Sequence, residues 1–171
     1  MDIVKTASDW ARFEMASSAA FILFALCFVL ASAGFWQLGR TDLARAFVLP
    51  MLVAGGLLLI LGAGLFLPAQ ARLAEIPAHF GADPAGALGA EIARVDKILN
   101  DYRIAVFRVF PLIIALCALA FIVLDGPAWR ASLITAIALF TVLLLVDSNA
   151  NARLGDYRLA LSRAQEGAGA P

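Results

Sequence analysis

Two apolar runs with charges at both ends constrain the fold more than any other feature of this sequence. The first run lies between Arg108 and Asp125 and the second between Arg130 and Asp147, and neither run contains a charged residue. If the chain turns near Pro127, Arg108 comes to the same depth as Asp147, and Asp125 to the same depth as Arg130. The pattern predicts a hairpin of two membrane helices whose ends are marked by opposite charges.

Two further charge-free runs precede this hairpin, at 15–39 and 46–71. Each is longer than a helix needs to cross a hydrocarbon core about 30 Å thick. The chain of 171 residues is 63% hydrophobic and 15% charged, which is more apolar surface than a soluble domain of this size buries. The sequence therefore predicts an all-α integral membrane protein with four transmembrane helices. The expected segments are 15–39, 46–68, 84–124 and 130–165.

The last two segments are too long to lie wholly in a bilayer. Asp83 followed by Pro84 is a helix start signal, and a stretch broken by Pro77 and Gly81 precedes it. In 88–109 and 150–164 apolar residues recur at alternating spacings of four and three, with charged residues such as Glu91 on the faces expected to be solvated. We expect a cytoplasmic antiparallel two-helix extension of helices 3 and 4.

The ends of the chain carry weaker signals. Ile3, Ala7, Trp10 and Phe13 lie near one face of a short helix, which favours an interfacial membrane helix at 1–14, although a loosely ordered lead-in is the alternative. Residues 166–171 are expected to form a disordered tail.

Small residues recur at every seventh position in the first two membrane segments. Such stripes let two helices approach closely, because van der Waals contact drives helix association in lipid. We expect helices 1 and 2 to pack along these stripes; the alternative is that Gly, Ala and Ser are simply common in membrane helices. The stripes consist of Ser18, Ala25 and Ser32 in helix 1 and of Gly55, Gly62 and Ala69 in helix 2.

The basic residues predict the orientation. Four crossings place ten Lys and Arg residues on the side of both termini and leave Arg40, Arg45 and Arg130 on the other side. Because cytoplasmic segments are enriched in Lys and Arg, we expect a multi-pass protein of the inner (plasma) membrane with both termini cytoplasmic. The formal net charge is zero, so no basic field indicates a nucleic-acid partner.

A polar cluster follows the fourth apolar run and contains Asp147, Asn149 and Asn151. Its spacing resembles the start of a calcium-binding loop, but Ala152 and Arg158 occupy the positions that need Gly and Glu. We expect a helix instead, with Asp147 paired to Arg108. The cluster is either a structural pair or an ion or lipid-headgroup site.

Nothing in the sequence indicates catalysis. It contains no phosphate-binding loop, nucleophile elbow or zinc-protease signature, its one histidine, His79, is expected in a loop, and no cofactor or metal is implied. The leading hypothesis is a non-enzymatic oligomeric scaffold or an accessory subunit of a membrane complex. Its partners would be the lipid bilayer and either a second copy or another membrane protein. The alternatives are an oligomeric ion channel or small transporter lined by residues such as Asn149, Asn151 and Thr141, and an interfacial lipid or quinone enzyme.

Overall fold

The chain is a bundle of long helices joined by short turns. A computed structural model describes residues 3–168, and within that range no strand is present. The elements are α1 (Ile3–Leu38), α2 (Asp42–Ala46), α3 (Val48–Ala82), α4 (Pro84–Ile104), a π-turn (Ala105–Val109), α5 (Phe110–Val123) and α6 (Pro127–Ala168).

Four stretches are long and apolar enough to cross a membrane, as the sequence predicted. They are Ile3–Leu38, Asp42–Ala82, Pro84–Val123 and Pro127–Gly167. Each has an apolar portion and a portion that carries charged side chains. We call 15–68 and 110–146 the apolar half, and 3–14, 69–104 and 147–167 the polar half. The prediction of an all-helical protein with four such helices is confirmed.

Helices α1 and α3 form the most extensive interface and run antiparallel along the small-residue stripes. A Cβ atom added to Gly62 would lie 2.8 Å from Ile22 Cγ1 and 3.1 Å from the Ser18 carbonyl oxygen. One added to Gly55 would lie 3.0 Å from the Ala25 carbonyl oxygen. Where these glycines face α1, the two backbones are too close to admit a side chain.

The same interface continues beyond the two glycines. Near the α2 end, the buried Ser32 hydroxyl donates a hydrogen bond of 2.7 Å to the Val48 carbonyl. In the opposite direction Ala69 of α3 is buried, as is Ala11 of α1. The stripes therefore extend along α1 and α3 from the apolar half into the polar half.

Helix α5 lies at the edge of the apolar half. It packs against α6 and the preceding π-turn, and none of its residues is buried. Phe110 contacts Phe140 of α6, with 5.4 Å between the ring centroids. Helix α6 is therefore central, with α5 on one side of it and the α1–α3 pair on the other.

The π-turn follows from Pro111. Proline has no N–H to bond the Phe107 carbonyl four residues earlier, and its ring would collide with that carbonyl in a regular α-helix. The wider Ala105–Val109 turn accommodates the proline, so helical structure continues from α4 into α5.

The polar half packs four helices together, where the sequence led us to expect a two-helix extension and a separate interfacial helix. The predicted loop before Pro84 is wrong: α3 stays helical to Ala82, with Pro68 and Pro77 inside it, so His79 is a helical residue. Burial of Ile76 and Phe80 compensates for the hydrogen bond lost at Pro77. The shared core of α1, α3, α4 and α6 contains Ala7, Trp10, Ala11, Ile76, Phe80, Ala87, Leu88, Val95, Leu154, Tyr157 and Leu161.

The amino-terminal segment also differs from the expectation. α1 runs unbroken from Ile3 to Leu38, so the predicted interfacial helix is the first part of a longer helix. Its Trp10 is buried against the polar core and does not lie on an outer surface. Of the predicted tail 166–171, residues 169–171 lie outside the described residues, while α6 continues to Ala168.

The predicted start of α4 is confirmed. Pro84 is its first residue, and the Asp83 carboxylate accepts a hydrogen bond of 3.0 Å from the Gly86 amide. This cap satisfies one of the amide groups that lack a partner at a helix start. It also separates α3 from α4 with a single non-helical residue, so the chain reverses within a very short distance.

Candidate functional site at the junction of the two halves

An ion-pair network joins the four helices of the polar half. Arg72 of α3 donates hydrogen bonds to Glu14 of α1 at 3.0 Å and to Glu91 of α4 at 3.3 Å. Arg94 donates two hydrogen bonds to Glu91, at 2.9 and 3.1 Å, and its guanidinium lies 3.6 Å from Glu14. Tyr157 of α6 donates to Glu91 at 2.8 Å. Two carboxylates and two guanidinium groups therefore balance in charge.

The electrostatics of this network favour its charged form. Burial opposes ionisation of Glu91, but hydrogen bonds from Arg94 and Tyr157 and the charges of Arg94 and Arg72 outweigh it and lower the pKa of the carboxyl group. Burial, together with the Glu91 charge, raises the pKa of Tyr157. The phenol therefore stays a hydrogen-bond donor, and the network fixes the relative positions of four helices.

Aromatic side chains surround the network. The Trp10 ring stacks on the Tyr157 ring, with 5.4 Å between centroids and 8° between planes. Trp10 also contacts Phe13, and the Arg153 guanidinium lies 4.4 Å from the Phe13 ring centroid. Trp10 therefore bridges α1 and α6. Its buried Nε1–H has no hydrogen-bond partner among the described residues.

A cavity of about 150 Å³ lies next to this cluster, where the two halves meet. Asp147, the first residue after the charge-free run 131–146, points into it from α6. The other lining residues come from α1, α3, α4 and α6: Trp10, Phe13, Glu14, Ser17, Ser18, Phe21, Leu65, Ile98, Tyr102 and Ala150. The cavity thus combines aromatic walls with carboxylate and hydroxyl groups.

Asp147 is an acid without a counter-charge. Within residues 3–168 it forms no ion pair and no side-chain hydrogen bond, and burial raises its pKa to about 6. Burial, and secondarily the Asp147 charge, raises the pKa of Tyr102. Glu14, the other carboxylate of the cavity, is neutralised by Arg72 and Arg94. Asp147 is therefore the uncompensated charge in this cavity.

The expected pairing of Asp147 with Arg108 is not formed. Arg108 lies in the π-turn with an exposed side chain, and no ion pair joins it to Asp147 in the described part of the chain. An ion pair also requires the two side chains to lie on facing sides of their helices, and here Asp147 lines the cavity between α6, α1 and α4 while the Arg108 side chain is exposed. At the other end of the hairpin Arg130 does donate to Asp125, at 3.0 Å.

The remaining polar candidates do not share the cavity. Asn149 is exposed and Asn151 is partly exposed, and neither lines the space around Asp147. The Thr141 hydroxyl donates to the Ile137 carbonyl of its own helix at 2.7 Å. Across residues 3–168, no group of three or more His, Cys, Asp and Glu side chains is placed to hold a metal ion. Of the polar cluster seen in the sequence, the structure brings Asp147 alone into a defined cavity.

The positions of Glu14 and Arg72 in the sequence are a signal from which their ion pair could have been predicted. Glu14 immediately precedes the charge-free run 15–39, and Arg72 immediately follows the charge-free run 46–71. These opposite charges mark one depth in α1 and α3, as Asp125 and Arg130 do in the second hairpin. The expectation that Glu91 lies on a solvated face was wrong, because its side chain is largely buried in the network, as is that of Arg94.

Comparisons with known proteins add no relative. No protein-family model matches the sequence, and the searches of the curated proteins and of the solved structures found no match.

Proposed function

We propose that this protein is a non-enzymatic, multi-pass protein of the inner membrane that works by association, as a homo-oligomeric scaffold or as an accessory subunit of a membrane complex. The apolar half spans the bilayer, and the polar half, with both termini, lies in the cytoplasm. The excess of Lys and Arg in the polar half supports this orientation.

The observation that carries the proposal is the open side of the apolar half. Helix α5 packs on α6 alone among the other helices, so a groove remains between α3 and α6, with a volume of about 340 Å³. Ala54, Ser132 and Ala136 line this groove, together with the buried Thr135, whose hydroxyl has no partner in the described residues. Small residues beside a polar group are typical of helix–helix contacts in membranes.

A second copy of the chain is the occupant that we propose for this groove. Small side chains permit a close approach of the two backbones. The polar half contributes rigidity: its ion-pair network holds four helices in one arrangement and would present a fixed surface to cytoplasmic partners. Fixed geometry is what a scaffold requires.

The association is tested by measuring the protein mass in a mild detergent, with Ala136→Leu to fill the groove. We expect an oligomer for the unmodified protein and a shift toward monomer for Ala136→Leu. Ala33→Leu, on an exposed face of α1 away from the groove, is the matched control and should leave the mass unchanged. A monomeric unmodified protein that captures no membrane partner would contradict the proposal.

The orientation is tested separately with a reporter enzyme that is active only outside the cytoplasm. Fused after the last residue of the chain, the reporter should be inactive; inserted at Gly126, in the turn between α5 and α6, it should be active. The reverse pattern would overturn the orientation without affecting the association.

A further inference from the structure

The Asp147 cavity has the chemistry of a cation-binding site. Its carboxylate is largely buried, and no cationic side chain faces it from any of the four surrounding helices. α1 presents Glu14, which is paired with two arginines, and α4 presents the uncharged Tyr102. Because an isolated buried carboxylate is unfavourable, it either takes up a proton or binds a cation.

The walls of the cavity indicate which kind of cation. Phe21 and Tyr102 line the space around Asp147, and ring faces attract organic ammonium ions, which shed water more readily than small metal ions. The structure places no group of three carboxylate, His or Cys ligands in residues 3–168 that would favour a metal. The indole ring of Trp10 also lines the cavity, although its Nε1–H is buried and does not face the open space.

We propose that the Asp147 cavity binds an organic ammonium group, held by the Asp147 carboxylate and by the Phe21 and Tyr102 rings. The volume of about 150 Å³ is below the roughly 300 Å³ at which drug-sized ligand pockets begin, so it admits a group of a few heavy atoms. Free amino alcohols and the amino-alcohol headgroups of phospholipids share this chemistry.

The raised pKa of Asp147 gives the site a pH dependence. The carboxylate is charged above about pH 6 and becomes neutral below it. Ammonium binding should therefore be tighter at pH 7.5 than at pH 5. The cavity lies at the end of the apolar half that meets the polar half, whereas the groove between α3 and α6 lies at the end near α2. Ligand binding in the cavity therefore does not depend on the association proposed above, and either proposal can fail alone.

Trp10 itself provides the readout. With Trp36→Phe and Trp129→Phe as the background, its fluorescence reports on the cavity, because the three tryptophans are then reduced to one. Choline and ethanolamine are titrated in a detergent free of phospholipid. The neutral isostere of choline, 3,3-dimethylbutan-1-ol, is the control compound. We expect a saturable change with the amino alcohols and none with the isostere.

Variants connect the signal to the site. Asp147→Asn should weaken binding at least about tenfold, while Asp156→Asn, an exposed acid on the same helix, should leave it unchanged. Phe21→Leu keeps the charge and removes an aromatic wall, and should weaken binding about threefold or more. Equal binding of the isostere, or unchanged binding in Asp147→Asn, would overturn the proposal.

A lipid arm distinguishes the two sources of the ammonium group. In nanodiscs of phosphatidylglycerol, added phosphatidylethanolamine should change the Trp10 signal if a headgroup enters the cavity, and this change should be lost in Asp147→Asn. A response to free amino alcohols without a lipid response assigns a soluble ligand, and the converse assigns a headgroup. Absence of both responses would contradict the inference.

Discussion

The Tyr157 hydroxyl of α6 donates a 2.8 Å hydrogen bond to Glu91 of α4, and this bond connects the last helix to the charged network of the polar half. The acceptor side chain is only 12% exposed and also receives hydrogen bonds from Arg94 and Arg72. Loss of one donor therefore leaves a buried carboxylate less well satisfied.

Tyr157→Phe should lower the free energy of unfolding by about 1–3 kcal/mol, because a hydrogen bond to a charged group is removed while the ring is kept. Reversible unfolding in mixed micelles measures the change. Tyr102→Phe is the matched control: its hydroxyl makes no hydrogen bond within residues 3–168, so its effect should be clearly smaller. Equal effects of the two substitutions would mean that the Tyr157–Glu91 bond contributes little.

The glycines of α3 allow a comparison within one helix. Gly55→Ala and Gly62→Ala should each destabilise by about 1–3 kcal/mol, because the new methyl would meet β-branched side chains and the backbone of α1. Gly56→Ala and Gly64→Ala meet no atom within 4 Å and should be neutral or slightly stabilising. Similar changes in the free energy of unfolding for all four variants would indicate that α1 and α3 do not pack so closely.

Asp147→Asn should stabilise the protein at neutral pH. The folded-state pKa of Asp147 is raised from 3.8 to about 6. The destabilisation of the folded state by ionised Asp147 is therefore absent below pH 3.8, grows as the pH rises, and is complete above about pH 6. The shift of about two units corresponds to about 3 kcal/mol at pH 7.5. The free energies of unfolding of the unmodified protein and of Asp147→Asn, measured between pH 4 and pH 8, test the sign of this effect. A constant difference across this range would be inconsistent with a buried titrating carboxyl.

Arg108→Ala and Asp147→Asn should act independently. Because their side chains face different directions and form no ion pair, the double variant should equal the sum of the single variants within about 0.5 kcal/mol. A coupling above 1 kcal/mol would indicate that the two charges meet.

The ion pair between Asp96 and Arg158 should contribute little, although its shortest N–O distance is 2.6 Å. Its side chains are 51% and 28% exposed, so water screens their attraction. A double-mutant cycle with Asp96→Ala and Arg158→Ala should give a coupling of about 0.2–1 kcal/mol that falls at high salt. A larger, salt-independent coupling would place this pair with the buried network.

The sequence was sufficient for features that depend on one helix at a time. Charge-free length identified the four apolar helices, and Asp83–Pro84 identified the start of α4. It was insufficient where three-dimensional packing decides. The continuation of α3 through Pro77 depends on burial of Ile76 and Phe80 by other helices, and the inward direction of Asp147 depends on the rotation of α6 relative to α1 and α4.

The π-turn at Ala105–Val109 lies where one continuous helix passes from the polar half, as α4, into the apolar half, as α5. An extra residue in a helical turn rotates everything beyond it by about 100° relative to an uninterrupted helix. As a result, the face of α4 that contacts three neighbouring helices and the face of α5 that contacts α6 lie at different angles around the helix axis. Insertions or deletions of one residue on either side of this turn would change which helix α5 meets. This single turn therefore determines that α5, in the third apolar helix, packs on α6 at the edge of the bundle.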